Sequence, residues 1–205
     1  MTDTVAGHGL PTMTGMTTTP TLRERIVAEA ATLTAEVGWA AVTMGALAAR
    51  VGVSRQTVYN ELGSKPALGE AMVLRELERF LGVVGDAFDA HPTDLDAAVR
   101  SAVRAVLDLA ADSPLLRALA TFTHGGDTEL MPLLTTRSDV LVDAASDMVL
   151  GRLEGYEVAL PPRRRRAAVD AVVRVVLSHV VRPGGPPAQV ADDVAWVAGR
   201  VLGPA

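Results

Sequence analysis

A chain of 205 residues, 49% of them hydrophobic, carries enough apolar side chain for a sizeable core and suits one two-part unit or two small domains. Its net charge of -5 argues against nucleic-acid binding through bulk positive charge, and the absence of cysteine excludes a disulfide framework, thiolate metal sites and thiol catalysis. No apolar run approaches the roughly 18 to 20 residues of a membrane span, and residues 1–20 lack a basic stretch followed by an apolar one, which points to a soluble cytoplasmic protein with no membrane partner.

Residues 1–20 are rich in Thr, Gly and Pro without apolar period and read as a disordered tail, to which His8 belongs. Thr21 and Glu24 form a capping box, after which Leu22, Ile26, Val27, Ala30, Leu33 and Val37 recur at helical spacing until Gly38. Thr43 caps a short second helix through Arg50, and Ser54 caps a third, shorter still. From Ser64 the pattern predicts helices over about 64–88, 93–111, 113–123, 127–153, 162–182 and 187–202, with caps or prolines at the starts and glycines or Pro183-Gly184-Gly185 at the breaks. No segment alternates with period two, so the fold class is all-α with about nine helices. The division is a tail over 1–20, a three-helix domain over 21–66 and a larger helical domain over 67–205.

Residues 52–65, GVSRQTVYNELGSK, concentrate the chemistry, and Lys65 is the sole lysine of the chain. Residues 20–66 hold five basic groups against four acidic ones, a net of +1, so the rest nets -6 and the N-terminal quarter is the least acidic part. Two helices that cross steeply need a small residue at their contact and a residue tolerant of positive φ in the turn, and Ala48 and Gly52 meet both needs. The second helix of the pair then turns Ser54, Arg55, Gln56 and Thr57 away from the core. Arg can bond guanine O6 and N7, and Gln adenine N6 and N7, each through two hydrogen bonds in the major groove. Tyr59 and Lys65 are placed to hold phosphates.

Residues 21–81 resemble the N-terminal domain of the TetR family of bacterial transcriptional regulators. The likeness lies in a leading helix ending in VGW, the helix-turn-helix T-M-x-x-L-A-x-x-V-G-V-S, and T-V-Y-N-E-L-G-S-K before a long fourth helix. The stretch LRELERFL, Leu74 to Leu81, is similar to actinobacterial members associated with lipid or alkane metabolism. The resemblance implies a homodimer whose recognition helices, here about Ser54 to Asn60, enter successive major grooves of a palindromic double-stranded DNA operator, and a helical domain that binds an effector and changes the spacing of the heads. It implies phosphate contacts for Thr43, Tyr59 and Lys65, and base reading for Arg55 and Gln56. Glu61 stands where many members have His and is expected to point away or pair with an arginine. Pro66 replaces the usual acidic residue, a tolerable change in a first helical turn.

The helices between 93 and 153 present Leu, Val, Ala and Met on broad faces, so a pocket among them is expected to be wide, aliphatic and suited to a small hydrophobic, lipid-like effector such as an acyl chain. The expected head-group contacts are Thr121, Phe122 and His124 at a helix end, with Arg104 near the apolar stripe and able to pair with Asp108. The run Arg163 to Arg166 opens a long apolar helix and reads as its flank. The last two helices carry more apolar surface than one core needs, and in the family such helices form the dimer interface. The residues expected there are Val176, Val180, Val194, Val197 and Trp196 as anchor. Four histidines without metal-ligand spacing and no Gly-rich phosphate loop or GxSxG point to no metal, no cofactor and no enzyme. A helical protein-interaction module with a degenerate helix-turn-helix is the alternative.

Overall fold

The computed structural model describes residues 19–117 and 138–203. Among them are eight helices and no strand: α1 (Leu22–Val37), α2 (Met44–Val51), α3 (Arg55–Leu62), α4 (Lys65–Ala90), α5 (Leu95–Asp112), α6 (Ser138–Leu153), α7 (Pro162–Val181) and α8 (Pro187–Leu202). A further helical turn begins at 114–117. Residues 1–18, with His8, and residues 118–137, with Thr121, Phe122, His124 and Asp127, lie outside the described residues.

The helices start where the sequence supplies an oxygen to cap them. Thr21 Oγ1 accepts from the Glu24 amide at 3.2 Å while Glu24 Oε2 accepts from the Thr21 amide at 2.7 Å, a complete capping box. The Thr21 amide and, at 3.0 Å, the Thr21 hydroxyl both donate to Glu24 Oε2 and hold its carboxyl below the ordinary pKa. Ser54, Ser64 and Asp94 cap α3, α4 and α5 in the same manner, and prolines open α7 and α8.

Two cores follow. The head packs α1, α2 and α3 around fully buried Ile26, Leu47 and Val58, closed by Trp39 and Val42. Leu68 and Met72 of α4 belong to the same cluster, so a division at residue 66 cuts through it. So does Leu115, just beyond α5, which is 3% exposed and plugs into the head from the body side. The body places α5 between α4 and α8, with α6 lying on α7. Its core runs through Phe88, Val103, Leu153, Val169 and Ala198.

The far end of α4 is pinned to the α6–α7 connection. Tyr156 donates its hydroxyl to the His91 carbonyl at 2.7 Å, and its ring meets Phe88 edge-on at 5.9 Å. Burial pushes the Tyr156 pKa above its usual value. Arg152 of α6 pairs with Asp89, and α4 and α6 approach so closely at Gly85 that an added Cβ would sit 3.0 Å from Arg152 Nη2. Of the arginine run, Arg165 donates to the Val158 carbonyl at 3.2 Å and Arg166 Nη1 pairs with Asp147 of α6 at 2.7 Å, while Arg163 and Arg164 are exposed.

Candidate functional site

The turn between α2 and α3 is held by its backbone. Gly52 lies at φ +78, in the left-handed region open to glycine, and the amides of Gly52 and Val53 both return to the Ala48 carbonyl, at 3.0 and 2.9 Å. Ala48 is buried at the crossing, as its small size predicts. Thr43 Oγ1 accepts from the Ala46 amide at 3.1 Å, and Ser54 Oγ accepts from the Thr57 amide at 3.0 Å and shares a further hydrogen bond with Thr57 Oγ1 at 2.8 Å, so both hydroxyls face the starts of α2 and α3.

One face of α3 is buried through Val58 and Leu62, which leaves Arg55, Gln56, Tyr59 and Asn60 on the exposed face and Thr57 half-buried. The exposed four are paired one turn apart: Arg55 Nη2 donates to the Tyr59 hydroxyl at 3.3 Å and lies 5.4 Å from the ring centre, and Gln56 Nε2 donates to Asn60 Oδ1 at 2.9 Å. The Tyr59 bond raises the Arg55 pKa above its usual value. These weak exposed pairs hold the side chains extended and ready to exchange partners. Lys65 is half-buried, its ammonium bonded to the Ala40 carbonyl at 3.1 Å and 4.9 Å over the Trp39 ring. That places the cation beside the start of α4 with donors to spare. Glu61 meets an arginine through its backbone, since Arg23 donates to its carbonyl.

Sequence reasoning missed the clamps that make the head rigid. Arg25 Nη2 donates to the Val51 carbonyl at 3.3 Å, and Arg50 pairs with both Glu29 and Glu36 of α1, its Nη2 3.1 Å from Glu36 Oε1. The Arg50 bond holds the Glu36 carboxyl below the usual carboxylate range. The spacing of Glu29 and Glu36, two turns apart on one face of α1, was the available signal.

Behind the head lies a cavity of about 630 Å³, within the ~300–1,000 Å³ usual for ligand sites. Phe80, Leu81, Val106, Met148, Val172 and Val176 typify its wall, to which α4, α5, α6, α7 and α8 all contribute. Among the described residues of that wall, Glu76, Arg117 and His179 alone are polar. Arg104 is not in the wall; it is half-exposed and pairs with Asp108 at 2.7 Å, because its position on α5 faces away from the apolar stripe.

The five residues assigned to a dimer interface divide between two faces. Trp196 is 63% exposed, with the Arg200 guanidinium 5.5 Å from its ring centre, and Val197 and Val201 beside it are also exposed. Val194 is 6% exposed and belongs to the body core, while Val176 and Val180 are half-buried against that core and line the cavity. A 3.6-residue period turns Val190, Val194 and Ala198 inward, so the free apolar face of α8 carries Trp196, Val197 and Val201 instead, with Val175 and Val181 exposed on α7.

Among the described residues, no helix is long and apolar enough to cross a membrane and no group of three or more His, Asp or Glu could hold a metal ion. A complete helix-turn-helix joined by one long helix to an apolar cavity defines a DNA-binding regulator with a ligand-binding domain. The family model described as "Bacterial regulatory proteins, tetR family" matches residues 26–72, and that described as "Bacterial Tetracyclin repressor, C-terminal domain" matches residues 94–200. The chain belongs to the TetR family of transcriptional regulators, non-enzymatic proteins that bind DNA and homodimerise. It is 31% identical over 157 residues, 77% of this chain and 74% of the other, to the HTH-type transcriptional regulator AlkX of Mycobacterium tuberculosis. It is similar to the crystal structure of the TetR family repressor AlkX of a Dietzia species, implicated in biodegradation of n-alkanes, at TM-score 0.68 and 28% identity, covering 86% of this chain and 98% of that one. The fold alone is shared with the fatty acid degradation regulator FadR of Bacillus halodurans, at TM-score 0.58 and 18% identity over 88% of this chain and 96% of that one.

Proposed function

We propose that this regulator is a repressor that grips a palindromic operator through two α3 helices and is released when an aliphatic, lipid-like effector fills the cavity. In this reading Arg55 and Gln56 read base edges, Thr43, Tyr59 and Lys65 hold phosphates, and Ser54, Thr57 and Asn60 line the groove. Trp196 and Val197 anchor the pairing of two copies, and the protein works in the cytoplasm, where its DNA is.

One observation carries the reading: Leu115 belongs to the packed core of the head and also lines the cavity. A ligand that shifts the cavity wall therefore moves a residue on which the head rests. The similarity to a repressor implicated in biodegradation of n-alkanes supports an aliphatic effector. Each buried methylene contributes about 0.8 kcal/mol, so affinity climbs with chain length until the cavity is full and then falls. Release requires that the effector prefer the DNA-free arrangement, and by reciprocity the operator weakens effector binding by the same factor.

The test is to select an operator from a random duplex pool and titrate an aliphatic chain-length series with and without it. A length optimum and equal coupling in both directions are expected. Binding that leaves operator affinity untouched removes the effector reading, and failure of the whole series to bind removes the aliphatic one.

A further inference from the structure

Glu76 faces the cavity from α4 with only 8% of its surface exposed. One carboxylate oxygen accepts from Arg79 Nη1, one turn on, at 3.0 Å; the other, Oε1, is buried and has no hydrogen-bond partner. The neighbouring positions on the same wall, Val73, Leu77 and Phe80, are apolar, so nothing on α4 beside it offers the second oxygen a donor. A buried oxygen that has lost water without gaining a donor destabilises the fold, and such atoms are rare for that reason. An oxygen of this kind inside a ligand-sized cavity is open to a hydrogen-bond donor that a ligand brings.

We propose that Glu76 is the polar anchor of the effector site, and that the effector carries a hydrogen-bond-donating head, a hydroxyl or a primary ammonium, on an aliphatic chain. The proposal rests on the cavity being the effector site. An O–H or N–H brought to Oε1 completes its hydrogen bonding while the chain covers the apolar wall. A plain alkane fills the same space and leaves the oxygen unpaired. A carboxylate head offers no donor and carries the same charge as Glu76, a repulsion that the apolar surroundings strengthen. Exposed Arg117, which donates to the Ala111 carbonyl at 3.5 Å, and half-buried His179, whose Nδ1 is likewise buried without a partner, would draw a carboxylate to other parts of the wall. The preferred head group thus identifies which polar residue anchors the ligand.

The experiment measures binding of decane, decanol, decylamine and decanoic acid to the full-length protein, by displacement of a fluorescent aliphatic probe, in the wild type, Glu76→Leu and Glu76→Gln. Decanol and decylamine are expected to bind the wild type about tenfold or more tightly than decane and decanoic acid, as one hydrogen bond to a charged group predicts. Glu76→Leu brings both down to the level of decane. Glu76→Gln, which keeps an acceptor oxygen and the shape of the side chain, retains the preference for decanol and weakens decylamine. Equal binding of all four, tightest binding of decanoic acid, or a preference that survives in Glu76→Leu overturns the anchor and leaves the aliphatic site standing. No binding by any of the four overturns both.

Discussion

The head closes around fully buried Ile26, Leu47 and Val58, while the body encloses about 630 Å³ under walls of comparable chemistry. Both are built from amphipathic helices, and the difference lies in what each has to keep fixed. The head presents Arg55, Gln56 and Tyr59 at set separations, and a close-packed core with arginine clamps resists any change in them. The body gives up part of its internal contact and gains a surface that a ligand can complete.

The largest expected effect puts that contrast under direct load. Leu47→Ala in the head should destabilise the protein by about 2–5 kcal/mol, because nothing can collapse into the hole. Leu107→Ala, at a buried position that borders the cavity, should cost clearly less and shift the ligand optimum towards longer chains. Chemical denaturation of the two variants makes the comparison, and equal losses would mean that the body is packed as tightly as the head.

A second comparison sets the free face of α8 against its buried one. Trp196→Arg should yield folded monomers whose operator affinity falls by roughly 10²-fold or more, since one head engages half a site. Sedimentation and a binding titration report both quantities. A stable Trp196→Arg dimer would move the interface elsewhere.

Within the head, reading and gripping separate next. Arg55→Ala or Gln56→Ala should each cost about 1–3 kcal/mol on the selected operator and relax preference at one symmetric pair of positions. If scrambled DNA suffers equally, the two side chains touch only the backbone of the duplex.

The smallest effect belongs to Lys65. Lys65→Ala should weaken specific and non-specific DNA alike and lower the salt slope by about one counterion per head. An unchanged slope would confine the ammonium to its contacts with Trp39 and Ala40.

Much of this was legible in the chain itself. Thr21, Thr43 and Ser54 mark helix starts because a capping oxygen acts within three residues, and Gly52 marks the turn because its φ is a local matter. What escaped depends on distant partners. Whether Val194 or Trp196 faces inward is decided by α5 and α7, which the sequence of α8 does not mention, and the clamp from Arg50 to Glu29 and Glu36 spans two helices. Glu76 is the instructive case. It sits three residues after Val73 and four before Phe80, on the stripe that faces inward, yet in the charged run LRELERFL it reads as surface.

The 26 residues of α4 form one uninterrupted rod, about 39 Å long at 1.5 Å per residue, that begins in the core of the head and ends where Tyr156 pins it. A rod held at one end works as a lever arm. A tilt of about 5° at the pinned end carries the other end through roughly 3 Å, close to the ~3.4 Å that separates successive base pairs. In the proposed reading, a ligand that tilts α4 by so small an angle moves the reading head by about the spacing of one base pair.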